Sequence, residues 1–254
     1  MKMVYFLLLL SFFLSILVNG APLTNLNFWR KDFVCTQRLE TILKDVSLLT
    51  LGSLGNYTLI PEVGRYVGSF VKNAGYSYYL VGPLDTLSID DSDYFYRAHK
   101  SPFMVADVYE KFATGLGIAG VIAVFDGRGK IDTNLISSLV TRKQTYPVLV
   151  EDEGKANLLR NFGYTGVFIV QKDDGFEFLN GRFTLLNWTA KPPDGESLRK
   201  SILLNSIIYL SQGDIQVKKV FANKGVIVYS DEEFVLNEAQ KILNKRAGPG
   251  RVPW

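Results

Sequence analysis

Residues 161–174 read NFGYTGVFIVQKDD. An apolar run from Val167 to Val170 sits behind glycines and ends in Gln171-Lys172-Asp173-Asp174. That is the composition of a buried strand, and strand tips are where parallel α/β proteins hold catalytic carboxylates. Asp173 is thus a candidate catalytic group. The plainer reading makes Lys172-Asp173-Asp174-Gly175 a polar turn ahead of the next strand. Three further charged residues stand at a strand tip or in a loop. Asp85 follows Gly82-Pro83 at a strand tip, Arg97 ends a loop that carries Asp90, Asp91 and Asp93, and Arg128 lies in the glycine-rich stretch FDGRG. Each also has a structural role open to it: Asp85 accepting backbone N–H groups in a turn, Arg97 pairing with a loop aspartate, and FDGRG forming a turn. The stretch lacks the spacing of a phosphate-binding P-loop. With one histidine, His99, and one cysteine, Cys35, no multi-histidine site, intrachain disulfide or thiolate metal cluster is available. No metal and no cofactor is expected.

The elements that must position these groups alternate. Helical spacing is present over 38–48 (Leu39, Ile42, Leu43 and Val46 on one face) and over 61–74, where Pro61 leads and Val63, Tyr66, Val67, Phe70 and Val71 form a stripe. Further helices are predicted over 102–115, 133–141, 154–161 and 197–210. A last one, over 230–246, is capped by Ser230 and Glu233. Short apolar strands are predicted at 78–81, 120–124, 146–150 and 166–170, with a strand or hairpin over 176–188 and shorter ones at 214–217 and 226–229. Helices alternating with apolar strands predict an α/β fold with a parallel sheet, open or closed as a barrel. No repeat or linker divides the chain, which reads as one domain.

Residues 1–20 are set apart. Lys2 is their only charge, and the run Val4–Val18 is broken only by Ser11 and Ser15. Small residues then precede Ala21, the pattern of a cleaved secretory signal peptide, so a secreted or periplasmic location is expected. Two sequons, Asn56-Tyr57-Thr58 and Asn187-Trp188-Thr189, matter only in a host that glycosylates exported proteins. Aromatic residues at 13% and charged residues at 21% describe an ordered globular chain. The formal charge of +3 is not gathered into a basic stripe with interleaved aromatics, so nucleic acid is a poor fit as partner.

Taken in order, several stretches resemble the N-terminal barrel domain of glycoside hydrolase family 3. LGSLGNYTLIPEVGRYVGSFVKNAGYSYYLVGPLDTL (51–87) is similar to the family's helix leading into a strand that ends in aspartate. Arg97, the helix from Pro102, Gly120-Val121 and Phe125-Asp126-Gly127-Arg128-Gly129 follow in the family's order. LLRNFGYTGVFIVQKDD (158–174) resembles L-L-R-x-x-L-G-F-x-G-x-V-x-S-D-D, whose first Asp is the family's nucleophile. SDEEFVLNEAQKILNKR (230–246) resembles its closing helix. The resemblance covers nearly all of residues 21–254, with gaps. It implies a parallel β/α barrel-like domain and a retaining glycosidase, in which a carboxylate nucleophile and an acid about 5 Å apart flank the scissile bond.

The departures imply lost chemistry. The family's Lys-His pair is missing from FDGRG, Arg128 stands in place of a histidine, and His99 is in the wrong segment to protonate a leaving group. Anchored on Leu159-Arg160 and Gly163-x-x-Gly166, the nucleophile column falls on Gln171, whose amide cannot form a glycosyl ester. A two-residue slip, which keeps the strand face, brings Asp173 into register. Residues 21–50 are too few for two β-α units, so an incomplete TIM barrel is implied. The expected ligand is carbohydrate, with Arg97, Asp85 and Arg128 as the carried-over binding residues. The expected role is sugar binding, or scaffolding for an envelope protein partner, with hydrolysis lost. The rivals are a reduced active glycosidase using Asp173, and an exported α/β interaction protein that is not an enzyme.

Overall fold

The computed structural model describes residues 34–54, 57–88, 93–172, 175–179, 191–212 and 237. The predicted signal segment, the strands at 214–217 and 226–229, the helix at 230–246 and Asp173 itself lie outside them. Six strands form one sheet in sequence order: β1 (Val34–Cys35), β2 (Tyr78–Pro83), β3 (Ile122–Asp126), β4 (Val148–Val150), β5 (Phe168–Lys172) and β6 (Gly175–Leu179). β1 to β5 are parallel, and β6 runs antiparallel to β5. Seven α-helices accompany them: α1 (Leu39–Ile42), α2 (Leu48–Gly52), α3 (Ile60–Asn73), α4 (Pro102–Ile118), α5 (Thr133–Thr141), α6 (Glu153–Asn161) and α7 (Gly195–Gln212). Among the described residues no helix is long and apolar enough to cross a membrane.

Period-two alternation in the strands sorts the core into two faces. Tyr79, Val81, Ala123, Phe125, Val148, Val150, Phe168 and Val170 join the helices in the main cluster. Tyr78, Leu80, Val124, Leu149 and Ile169 form a second cluster with Ile122 and Phe178, and no helical residue enters it. All helix packing therefore falls on one side of a parallel sheet whose strands follow chain order. That is the construction of a β/α barrel rather than of a doubly wound sheet, which would need helices on both faces. The result is a half-barrel, an incomplete α/β barrel.

The returns from helix to strand share one device. At the C-termini of α3, α4 and α6 the chain turns through a left-handed glycine, Gly75, Gly120 and Gly163 (φ 89°, 81° and 85°). Paired backbone bonds close each turn, as in Val121 N–H to Leu116 O at 3.0 Å and Gly120 N–H to Gly117 O at 2.9 Å. This is the Schellman arrangement. α5 ends in the same way, but its left-handed residue is Lys143 (φ 56°). Helix starts are equally local: Asp132 caps α5 through the Asn134 and Leu135 N–H groups, and Asp152 caps α6 through that of Lys155. α3 and α4 cross backbone to backbone, since a Cβ on Gly115 would stand 2.1 Å from Pro61 O.

One reading differs from the structure. The helix predicted over 38–48 is split into α1 and α2. Between them Asp45 adopts φ 63°, held by Arg199 of α7, whose Nη2 meets Asp45 Oδ2 at 3.1 Å and whose Nε donates to Lys44 O at 3.0 Å. A contact with α7 thus overrides an uninterrupted apolar spacing. The strand after Gly166 leads into a further strand, as the reading of 176–188 expects. β5 returns at once as β6, with Lys172 opposite Gly175.

Candidate functional site

The C-terminal ends of β1, β2 and β3 gather the polar groups. β3 ends at Asp126, which follows Ile122 and Val124 in alternation and so belongs to the face away from the helices. Gly127 then lets the chain turn back, and a Cβ there would stand 2.8 Å from a methyl group of Val148. The turn brings Arg128 over Asp126: Nε donates to Oδ1 at 2.9 Å, Nη2 to Oδ2 at 2.8 Å and the Arg128 backbone N–H to Oδ1 at 3.1 Å. Tyr96, at the end of a short 3₁₀ turn (Tyr94–Tyr96), adds its hydroxyl to Oδ2 at 3.3 Å. Burial alone would push the Asp126 carboxyl up. The hydrogen bonds and charge of Arg128, with the Tyr96 hydroxyl, outweigh burial and hold it below its ordinary range. Tyr96 is pushed well up by burial and by Asp126, so it stays a neutral donor.

A second set stands beside the first, tied to it by the Leu84 N–H bond to Asp126 O at 2.8 Å. A register shift near the end of β2 delivers Asp85 into the interior, where it is only 3% exposed. Its Oδ1 accepts the Thr86 N–H at 2.9 Å, and Arg97 Nη2 and Lys130 Nζ approach at 3.4 and 3.8 Å. The Thr86 hydroxyl donates to Asp132 Oδ2 at 2.8 Å, joining the α5 cap to the set. On the outer side Arg38, just after β1, pairs with Asp93 through both carboxylate oxygens, one at 2.9 Å. Its guanidinium lies 5.0 Å from the centre of the Tyr96 ring, a cation–π distance. Phe95 is exposed beside it.

The structure thus brings together Asp85 and Arg97, with Arg128 next to them on β3, all of them candidates from the sequence. Gln171 lies in β5, paired with Phe176 of β6. Sequence reasoning did not assign a role to Asp126, Arg38 or Lys130. The signal for the first was present: in Asp126-Gly127-Arg128 an acid and a base stand two apart across a glycine at a strand tip. His99 is not part of the set. Its Nδ1 accepts the Ser101 N–H at 2.9 Å ahead of α4, and burial, then Lys100, lowers its pKa. Among the described residues no three or more His, Cys, Asp or Glu side chains are gathered as a metal would require.

The rim can donate hydrogen bonds in several directions from Arg97, Arg128 and Lys130, against carboxylates that are already engaged.

No family model and no curated protein matches the chain. Among solved structures, it is similar to a glycosyl hydrolase of the GH3 family from Mycobacterium smegmatis, at 15% identity and a TM-score of 0.41, over 51% of this chain and 54% of that one. It is also similar to β-glucosidase 3B from Thermotoga neapolitana in complex with glucose, at 16% identity and TM-score 0.43, over 60% of this chain and 25% of that one. A β-N-acetylhexosaminidase from Beutenbergia cavernae is similar at 14% identity and TM-score 0.40, over 78% and 70%. The chain spans about half the length of the first of these and a quarter of the second.

Proposed function

We propose that this chain is an exported, non-hydrolytic protein on a half-barrel of glycoside hydrolase type, and that its rim binds a neutral sugar. One observation carries the proposal: each described carboxylate at the tips of β2 and β3 is already engaged. Asp126 is clamped by Arg128 and Tyr96, Asp85 by Thr86, Arg97 and Lys130, and Asp93 by Arg38. Cleaving an acetal with retention needs one carboxylate aimed at the anomeric carbon and a second group that arrives protonated. Asp126 is held in its charged form and has no proton to give. The donors on Arg97, Arg128 and Lys130, beside the exposed face of Phe95, suit ring hydroxyls and an apolar sugar face. Export rests on the apolar run Val4–Val18 behind Lys2.

The test is turnover of aryl β-glucosides and aryl β-N-acetylglucosaminides by the purified chain, with calorimetric titration of the parent sugars. Binding without turnover is expected, weakened in Arg97→Ala. Turnover abolished by Asp173→Asn would replace this reading with that of a reduced, active glycosidase. Absence of both binding and turnover would leave an interaction protein.

A further inference from the structure

The loop that presents Phe95, Tyr96 and Arg97 to the rim is fastened at its far end by the only histidine in the chain. Two bonds meet on His99. Its carbonyl accepts the Leu87 N–H at 2.9 Å, closing the loop two residues beyond Asp85. Its imidazole Nδ1 accepts the Ser101 N–H, also at 2.9 Å. Ser101 opens α4 without a cap from its own side chain, and its carbonyl takes the Val105 N–H at 3.0 Å. The passage from loop to helix therefore runs through the imidazole. Before it the chain has no room to shift, since a Cβ on Gly52 of α2 would stand 1.7 Å from Ala98 O and Ala98 is fully buried. On this side any movement of the loop falls on His99, Lys100 and Ser101.

An Nδ1 that accepts a hydrogen bond carries no proton, so the latched imidazole is neutral with its proton on Nε2. A second proton turns Nδ1 into a donor facing another donor, and the Ser101 bond is lost. The surroundings give that charge little support. His99 is half-buried, and burial, then the neighbouring Lys100, disfavours the imidazolium. The first turn of α4 holds no acidic residue, α2 reads LLTLG, and Leu87 and Ser88 are uncharged. The described carboxylates elsewhere in the loop are engaged, Asp85 by Arg97 and Lys130 and Asp93 by Arg38. A loop released from Ser101 returns His99 toward its ordinary pKa and so binds the proton more tightly. Acid therefore favours release.

We propose that His99 is a proton-operated catch on the rim: one proton at Nδ1 breaks the bond to Ser101 and frees the loop that carries Phe95 and Arg97. With the sugar reading of the rim, on which this consequence rests, acid weakens sugar binding. The device is separate from the Asp126 carboxyl, which Arg128 holds below its ordinary range, because histidine changes charge between about pH 5 and 8.

The test uses the full chain without a histidine tag, labelled with ¹⁵N and titrated from about pH 7.5 to about pH 5. Imidazole ¹⁵N shifts should place the proton of the neutral form on Nε2. The Ser101, Leu87 and Arg97 amide signals should move with the His99 midpoint, which should lie below the ordinary value of about 6.5. Glucose affinity by calorimetry should fall about fivefold across that midpoint, the scale of one lost hydrogen bond. By reciprocity, saturating glucose should lower the midpoint itself. His99→Asn sets an amide oxygen close to the place of Nδ1 and takes up no proton. It should match the affinity of wild type at the upper pH and keep it at the lower. A neutral form protonated on Nδ1, Ser101 and Leu87 amides that ignore the His99 midpoint, or an equal fall of affinity in His99→Asn would each overturn the proposal. Glucose bound at no pH would remove the sugar reading alone, and the Ser101 and Leu87 amides then decide the catch by the same criterion.

Discussion

Replacing Asp126 by Asn removes one charge and leaves the shape of the β3 tip in place. The carboxylate accepts four hydrogen bonds, two of them from the Arg128 guanidinium at 2.8 and 2.9 Å. The Asn amide has a single oxygen, so at least one guanidinium bond is lost and an NH₂ group is turned toward other donors. A hydrogen bond to a charged group contributes about 1.5–3 kcal/mol. The Asp126 side chain is 10% exposed and that of Arg128 35%, so solvent screens part of the pair and the lower half of that range applies. The expected loss is about 2 kcal/mol, or roughly 4–8 °C in Tm for a chain of this size. Urea unfolding at pH 7 measures it, and a cycle with Arg128→Met should show that the two losses are coupled. The pH dependence carries a sign. The folded-state carboxyl is depressed, so its contribution is complete above its unfolded pKa and fades as pH falls through the folded value. Wild type should therefore lose its advantage over Asp126→Asn on acidification below about pH 4. A loss below about 0.5 kcal/mol at pH 7, or additive single variants, would refute the view of this pair as a structural clamp.

Other substitutions separate the forces elsewhere. Gly115→Ala should cost about 3 kcal/mol or more in urea unfolding, because the new methyl would meet backbone, Pro61 O at 2.1 Å, which cannot step aside. Gly75→Ala meets nothing within 4 Å, and only its φ of 89° opposes the change, so about 1 kcal/mol is expected. Tyr109→Phe, which removes the hydroxyl donating to Pro83 O at 2.7 Å in the core, should cost about 1–2 kcal/mol with no change in fold by circular dichroism. Arg199→Met should loosen α7 from residues 44 and 45, seen as faster amide exchange in both segments while the β2–β3 amides stay protected.

The alternation of elements was legible because it rests on local patterns. The stripe that begins at Val63 produces α3, and Thr133–Thr141 appears as read. The helix spread over 38–48 was misread because its interruption depends on Arg199, about 150 residues away in sequence. At the rim, Asp85 and Arg97 could be singled out by type and position, but their contact at 3.4 Å could not. It requires the register shift in β2 and the 3₁₀ turn at Tyr94–Tyr96. The Asp126–Arg128 pair was open to a local reading, since only a glycine separates the two.

The β5–β6 hairpin fits the proposed loss of hydrolysis. In a parallel barrel each strand tip is followed by a loop and a helix, so every tip can present side chains over a common centre. A strand that turns back at once uses its tip to close the hairpin, with Lys172 opposite Gly175 and two residues between them. The fifth strand then contributes no loop and helix beyond its tip, and the rim is left to the tips of β1 to β4. Those of β2 and β3 carry their acids already bound to bases, in a set built from Asp85, Arg97, Asp126 and Arg128. Such pairing lowers the cost of burying charge and removes the unpaired carboxylate that nucleophilic attack requires. Stability of the rim and catalysis at it therefore compete for the same four side chains, and in this chain the ion pairs hold them.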